Sequence, residues 1–175
     1  LACLAGGTAS GCHSPWQVGG VRRVYGGVAL PDGQIYAHGF PPGHEGGPTG
    51  WRQWVTGSEA PAPQADGALA YAGTRLPAGY GLMDFNFRFL SLDTDDPTYT
   101  WRRFEVARDL PRMQTMTAIL SPLDANLQPF RQRDGRLLVY HGWSDPGISA
   151  YGTLAYHDAV VKAVGGQAQA DTFLR

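Results

Sequence analysis

Several function classes are removed by what this chain lacks. Its 14 Lys and Arg nearly cancel 15 Asp and Glu, for a formal net charge of -1 over 175 residues. That balance leaves no basic footprint for nucleic acid or an anionic membrane surface. No apolar run is long enough to span a bilayer, and no internal repeat is evident. No Gly-x-Ser-x-Gly nucleophile elbow occurs anywhere. Cysteine is scarce: Cys3 and Cys12 stand with eight residues between them. That is too wide for a redox Cys-x-x-Cys and lacks the further ligands zinc needs. A local disulfide, whose short loop would contribute roughly 2–3 kcal/mol, and a pair of reduced thiols both stay open. Gly and Pro are plentiful, 24 and 13, and crowd the part before residue 82, which predicts a loop-rich front half.

Local signals set out the elements. Ser14 and Pro15 open a helix over residues 13 to 25, closed by Gly26-Gly27. Asp32-Gly33 makes a tight turn into a short strand at Ile35-Tyr36. Residues 57 to 82, rich in Ala, Gly and Pro, predict a long loop or partly ordered segment. Phe85, Phe87 and Phe89 alternate with Asn86 and Arg88, a period of two that predicts a short extended piece. Asp109 is placed to cap a helix from Pro111 to Leu120, stopped by Ser121-Pro122. A short helix is expected over residues 125 to 133. Ser149 then caps a helix from Ala150 to Val164, with Leu154, His157, Val161 and Val164 as its apolar stripe and Gly165 as its end. Thr172-Phe173-Leu174 begins a further strand.

The most informative segment runs from Gly135 to Ser149. Leu137 to Tyr140 is continuously apolar, as in a parallel strand buried on both faces, and a Gly/Pro-rich turn carrying Asp145 follows. Chemistry in open α/β sheets sits beyond the carboxyl ends of such strands. Asp145 is therefore the leading candidate, either as a catalytic acid or as an Asp that caps the turn before Pro146. His141, Ser144 and Asp145 cannot form a triad among themselves, since neighbours at a strand end point to opposite faces or into one turn. His38, His44 and Glu45 share no helical face and have no evident third ligand, so they read as solvated loop residues. Asp93, Asp95 and Asp96 lack the turn glycine and distal glutamate of an EF-hand and read as an acidic turn before Pro97. No metal is expected on either group.

Several motifs carry a resemblance. Cys12 and Gln17 in a Cys-x-x-x-x-Gln helix, Tyr25-x-Gly, the Pro42-Gly43-x-Glu45 element, Gly50-Trp51 and His141-Gly142-Trp143-x-Asp145-Pro146 occur in this order. The chain thereby resembles the tannase and feruloyl esterase family of serine hydrolases, which includes mono(2-hydroxyethyl) terephthalate hydrolase-like members. His38 and His44 depart from the family, which usually has Pro and Ser there. The resemblance implies an α/β class: residues 1–125 as the later part of an inserted, loop-rich lid domain, and residues 126–175 as a partial α/β-hydrolase core segment. It implies hydrolysis of aromatic carboxylic esters by a Ser-His-Asp triad, feruloyl esterase-like by default and tannase as the nearest rival. Asp145 is the triad acid in that reading, Ile148 and Trp143 contact the substrate, and His141 supports the site. The serine is expected upstream of Leu1 and the histidine beyond Arg175, so the chain is expected to be an internal piece, inactive alone. The resemblance further implies a Cys3–Cys12 disulfide, a secreted or periplasmic protein, and no cofactor in this chain, with the family's lid calcium site upstream of Leu1. Aromatic side chains of the front half, Trp51, Trp54, Phe87 and Trp101 among them, suit planar phenolic acyl groups or a plain lid core. A non-catalytic phenolic- or glycan-binding remnant is the alternative from another class. The partner expected is a small-molecule ester; the oligomeric state is not legible.

Overall fold

The computed structural model describes residues 2–3, 11–59, 62–63, 69–70 and 76–175. Helix α1 spans Pro15–Gly26. Its start is doubly fixed: Ser14 Oγ accepts the Gln17 N–H at 3.3 Å, and the Gln17 side chain accepts the Ser14 N–H at 2.8 Å. It stops at Gly27, where φ is 71° and an added Cβ would lie 2.3 Å from the Ala37 carbonyl oxygen. Only glycine satisfies both conditions. The expected short strand is β2 (Ile35–Ala37), and it pairs with an unexpected β1 (Val28–Ala29) in a hairpin whose turn is held by Asp32 accepting the Gln34 N–H at 2.9 Å. A cystine joins Cys3 to Cys12, with Cα atoms 4.9 Å apart.

A one-turn π-helix, Arg52–Thr56, follows. Strands β3 (Ala62–Pro63) and β4 (Leu69–Ala70) pair antiparallel. Much of the segment expected as a loop, residues 60–61, 64–68 and 71–75, lies outside the described residues. Its last part is corrected, because helix α2 begins at Ala78 and runs to Phe89. The extended piece expected at Phe85–Phe89 is thus helical. Three alternating phenylalanines also satisfy helical neighbours four apart: the Phe85 and Phe89 rings sit 5.2 Å from each other, while Phe87 turns away to Tyr99 and Phe104 at 5.7 and 5.5 Å.

A 3-10 turn, Trp101–Arg103, leads to α3, Val106–Leu120. Asp109 is not its cap. The helix starts a turn earlier at Glu105, and Asp109 is fully buried, accepting the Glu105 N–H at 2.9 Å and the Tyr99 hydroxyl at 2.8 Å. Arg108 and Arg112 also reach it, at 2.7 and 3.3 Å. Around this node Leu92, Tyr99 and Met113 form one core, joined by Phe87, Phe104 and Leu110.

Helix α4 covers only Gln128–Arg131, α5 covers Ala150–Ala163 and α6 covers Gln167–Ala170. Ser149 caps α5, accepting the Tyr151 N–H at 3.2 Å. The α5 stripe is met in part: Val164 is buried and Val161 packs against the core, whereas Leu154 is half exposed and Val160, outside the expected stripe, is buried. Val160, Val164, Ala170, Phe173 and Leu174 form a second core, against which Leu137, Val139 and Phe130 pack. The strand expected after Gly135 is reduced to an extended segment with a single parallel bridge, Leu137 to Leu174, held by Leu137 N–H to Phe173 O at 2.8 Å and Val139 N–H to Arg175 O at 2.7 Å, and Thr172 and Phe173, expected to begin a strand, lie in a turn. The extended segment is covered on one face only. Leu138 and Tyr140 are 72% and 88% exposed, so the expectation of burial on both faces is not met within the described residues.

Candidate functional site

Four elements converge on the turn that follows this segment. The 142–149 loop leaves the segment beside the N-terminus of α5, and two contacts join it to the front half. Ser149 Oγ donates to the Gly39 carbonyl. Gly39 must be glycine there, since a Cβ would lie 2.0 Å from the Tyr25 carbonyl oxygen. The Trp54 ring lies against Gly147, where a Cβ would meet its edge at 3.0 Å. The turn is therefore wedged between α5 and the π-helix.

Within it, the two oxygens of Asp145 have different surroundings. Oδ1 accepts the N–H groups of Gly147 and Ile148 at 2.8 and 3.0 Å. Oδ2 has no such donor among the described residues; its neighbour is His141 Nε2 at 3.7 Å, and the side chain is 40% exposed. Partial burial pushes the carboxyl upward, but the amides of Ile148 and Gly147, with the fields of His141 and His44, push harder the other way. Asp145 is thus held below its ordinary pKa, a carboxylate with one oxygen locked and one open. The turn-capping reading and an accessible anion coexist in one side chain.

His141 does not spend its N–H on that carboxylate. Nε2 faces the Ile148 carbonyl at 3.0 Å and Nδ1 faces Thr153 Oγ1 at 2.6 Å. Trp143 stands edge-on to Tyr151 with centroids 5.5 Å apart and is half exposed. Ile148 is 69% exposed. It lines, with Asp145, Pro146 and Gly147, a cleft of about 950 Å³ whose other wall comes from Phe40, Trp54, Tyr80, Met83, Phe87 and Trp101. A shallower groove on the far side of Trp54 joins Trp143 and Asp145 to Thr49 and Gln53.

Of the residues set aside in the sequence, His44 is not solvated: it is 8% exposed, and its Nδ1 lacks a hydrogen-bond partner. Glu45 beside it accepts the Tyr25 hydroxyl and the Gly43 N–H. Those bonds, Tyr25 first, lower the Glu45 pKa to about 2. Burial and then Glu45 raise that of Tyr25 to about 12. Asp96 closes the expected acidic turn, accepting the Thr98 N–H at 2.9 Å and its hydroxyl at 2.7 Å. Thr153 and Phe40 were missed in the sequence. Neither belongs to a motif, and only the docking of α5 and of the 39–41 segment brings them to the turn.

The model of the family "Tannase and feruloyl esterase" matches residues 1–175. The chain belongs to the tannase and feruloyl esterase family. An uncharacterised esterase of Xanthomonas campestris pv. campestris is 26% identical over 159 residues, which is 90% of this chain and 26% of that protein. Among solved structures, feruloyl esterase B from Aspergillus oryzae superposes with a TM-score of 0.70 at 20% identity, over 100% of this chain and 31% of its own. A second esterase from Aspergillus oryzae gives 0.71 at 21% identity, over 100% and 30%. The chain thus shares the fold of part of these family members and spans between a quarter and a third of their length. No described helix is long and apolar enough to cross a membrane.

Proposed function

We propose that this chain supplies the acid of a Ser-His-Asp triad to a carboxylic ester hydrolase, and that Asp145 is that acid. The observation that carries the reading is the asymmetry of its carboxylate: Oδ1 held by two amides, Oδ2 open. A triad acid must stay ionised and present one lone pair, in fixed direction, to the histidine Nδ1–H. Asp145 meets both requirements. In the full protein, serine attacks the ester carbonyl while histidine takes its proton. Asp145 keeps the imidazole in the useful tautomer and stabilises the imidazolium, and an acyl-serine is then released by water.

The cleft beside Asp145 supports an aromatic acyl group. At about 950 Å³, walled by Trp54, Phe87 and Trp101, it has the size and lining of a small-molecule site, and Ile148 lies between it and the acid. Feruloyl-type esters are the substrates we favour over gallates, with Trp143 on the other side of the turn as a further substrate contact. Residues 1–125 are the lid portion and residues 126–175 the hydrolase-core portion in this reading. The two separate apolar cores support that division. A secreted or periplasmic protein fits the Cys3–Cys12 cystine. The serine and histidine belong to the remainder of the protein, so this chain alone is expected to be inactive.

The test is kinetic. The full-length protein should hydrolyse methyl ferulate faster than methyl gallate, and Asp145→Asn should lower kcat by about 10⁴-fold. Undiminished turnover in that variant would remove Asp145 from the triad.

A further inference from the structure

Resting on that reading, we infer that His141 and Thr153 form a clamp that aims the Asp145 carboxylate through the backbone of Ile148. Both backbone polar groups of Ile148 are engaged, one in each of the two peptide planes that meet at its Cα. Its N–H points to Asp145 Oδ1 at 3.0 Å, and its carbonyl meets His141 Nε2 at 3.0 Å. A carbonyl can only accept, so Nε2 carries the imidazole proton. In the neutral ring Nδ1 is then an acceptor, and Thr153 Oγ1, 2.6 Å away, is its donor. With the ring neutral, the order Thr153 hydroxyl, His141, Ile148 backbone, Asp145 follows, whereas a doubly protonated ring would donate to Thr153 Oγ1 instead.

The chain of bonds ties three elements that would otherwise shift independently. His141 ends the extended segment, Thr153 sits in the first turn of α5, and Ile148 closes the acid loop just before the helix cap Ser149. The His141 side chain is 17% exposed, so water competes weakly for its bonds. A carbonyl of Ile148 freed from His141 would let φ and ψ at Ile148 change together, carrying the N–H away from Oδ1 and releasing the carboxylate to turn. His141 and Thr153 are positioning residues: neither touches substrate, and His141 does not act as the base, since its N–H is committed to a carbonyl.

Three variants of the full-length esterase and one spectrum test this. Thr153→Val keeps the side-chain shape and removes the donor. It should lower kcat by about tenfold or more while KM changes by less than about twofold, because aim is lost and binding is not. Thr153→Ser should restore kcat, and His141→Gln, which keeps an N–H near the Nε2 position, should fall between Thr153→Val and wild type. Histidine ¹⁵N spectra should show His141 as the neutral Nε2–H tautomer. Wild-type kcat in Thr153→Val and His141→Gln, alongside an inactive Asp145→Asn, would overturn the clamp and leave the acid assignment standing. A His141 protonated on Nδ1 alone would overturn it too. An active Asp145→Asn would instead remove the acid assignment, and the clamp with it.

Discussion

The α3 node and the 142–149 turn each hold a carboxylate below its ordinary pKa, by opposite means. Asp109 is consumed: fully buried, it is held low first by the Arg108 guanidinium, with the Glu105 amide and Tyr99 hydroxyl adding to it against the cost of burial. Asp145 is only partly used, with two amides on one oxygen and 40% of the side chain in reach of solvent. A lowered pKa therefore does not by itself mark a functional acid. What sets Asp145 apart is an oxygen that accepts no hydrogen bond from a described residue. Asp109 has no oxygen left for a substrate or a histidine, and it serves the packing of Tyr99 and Met113; Asp145 keeps one oxygen that nothing in the described chain needs.

This contrast can be broken by separating stability from turnover. The largest effect on folding is expected at Asp109→Ala, which strands the buried Tyr99 hydroxyl and Glu105 amide and should cost about 3 kcal/mol in urea unfolding. Asp145→Ala should cost less than about 1 kcal/mol, because the amides of Gly147 and Ile148 can turn to water. Equal costs would erase the distinction between the two carboxylates. Next in size, replacing both Cys3 and Cys12 by Ser should lower stability by roughly 2–3 kcal/mol through the freed loop, with kcat unchanged.

A smaller effect is expected at the Tyr25–Glu45 pair, where Tyr25→Phe should cost about 1 kcal/mol. Its pH dependence has a definite sign. The Tyr25 pKa is raised to about 12, so its contribution is complete below the unfolded value near 10 and is lost as pH climbs through 12. Glu45, lowered to about 2, contributes fully above the unfolded value of about 4.3 and loses that contribution as pH falls towards 2. Melting temperatures of wild type and Tyr25→Phe should converge at both extremes; a constant gap across pH would contradict the pair's role. Least for stability is Ile148→Ala, within about 0.5 kcal/mol given its exposure, yet with altered kcat/KM for aromatic esters if it lines the acyl cleft.

Which of these features could be read from the sequence depended on how local their causes are. The caps of α1 and α5 were legible because Ser14 with Gln17, and Ser149, act on amides two or three residues away. The turn at Asp145 was legible for the same reason. Asp109 misled because an Asp two residues before Pro111 has the local pattern of a cap, and the Tyr99 hydroxyl that claims it lies ten residues upstream. The three phenylalanines of α2 fit two periods, and only their partners Tyr99 and Phe104 decide between them. His44 gave no sign of burial in its Gly/Pro-rich surroundings, yet it is 8% exposed. Thr153 is an unremarkable helix residue until His141 is folded over it.

The central claim concerns one oxygen atom. A crystal structure of the full-length protein would test it most directly, through the partner of Asp145 Oδ2. A histidine nitrogen is expected about 2.7–2.9 Å from Oδ2, on the side of the aromatic cleft, with Oδ1 still bound to Gly147 and Ile148. An Oδ2 facing solvent, or paired with a lysine or arginine while the esterase histidine finds another acid, would contradict it.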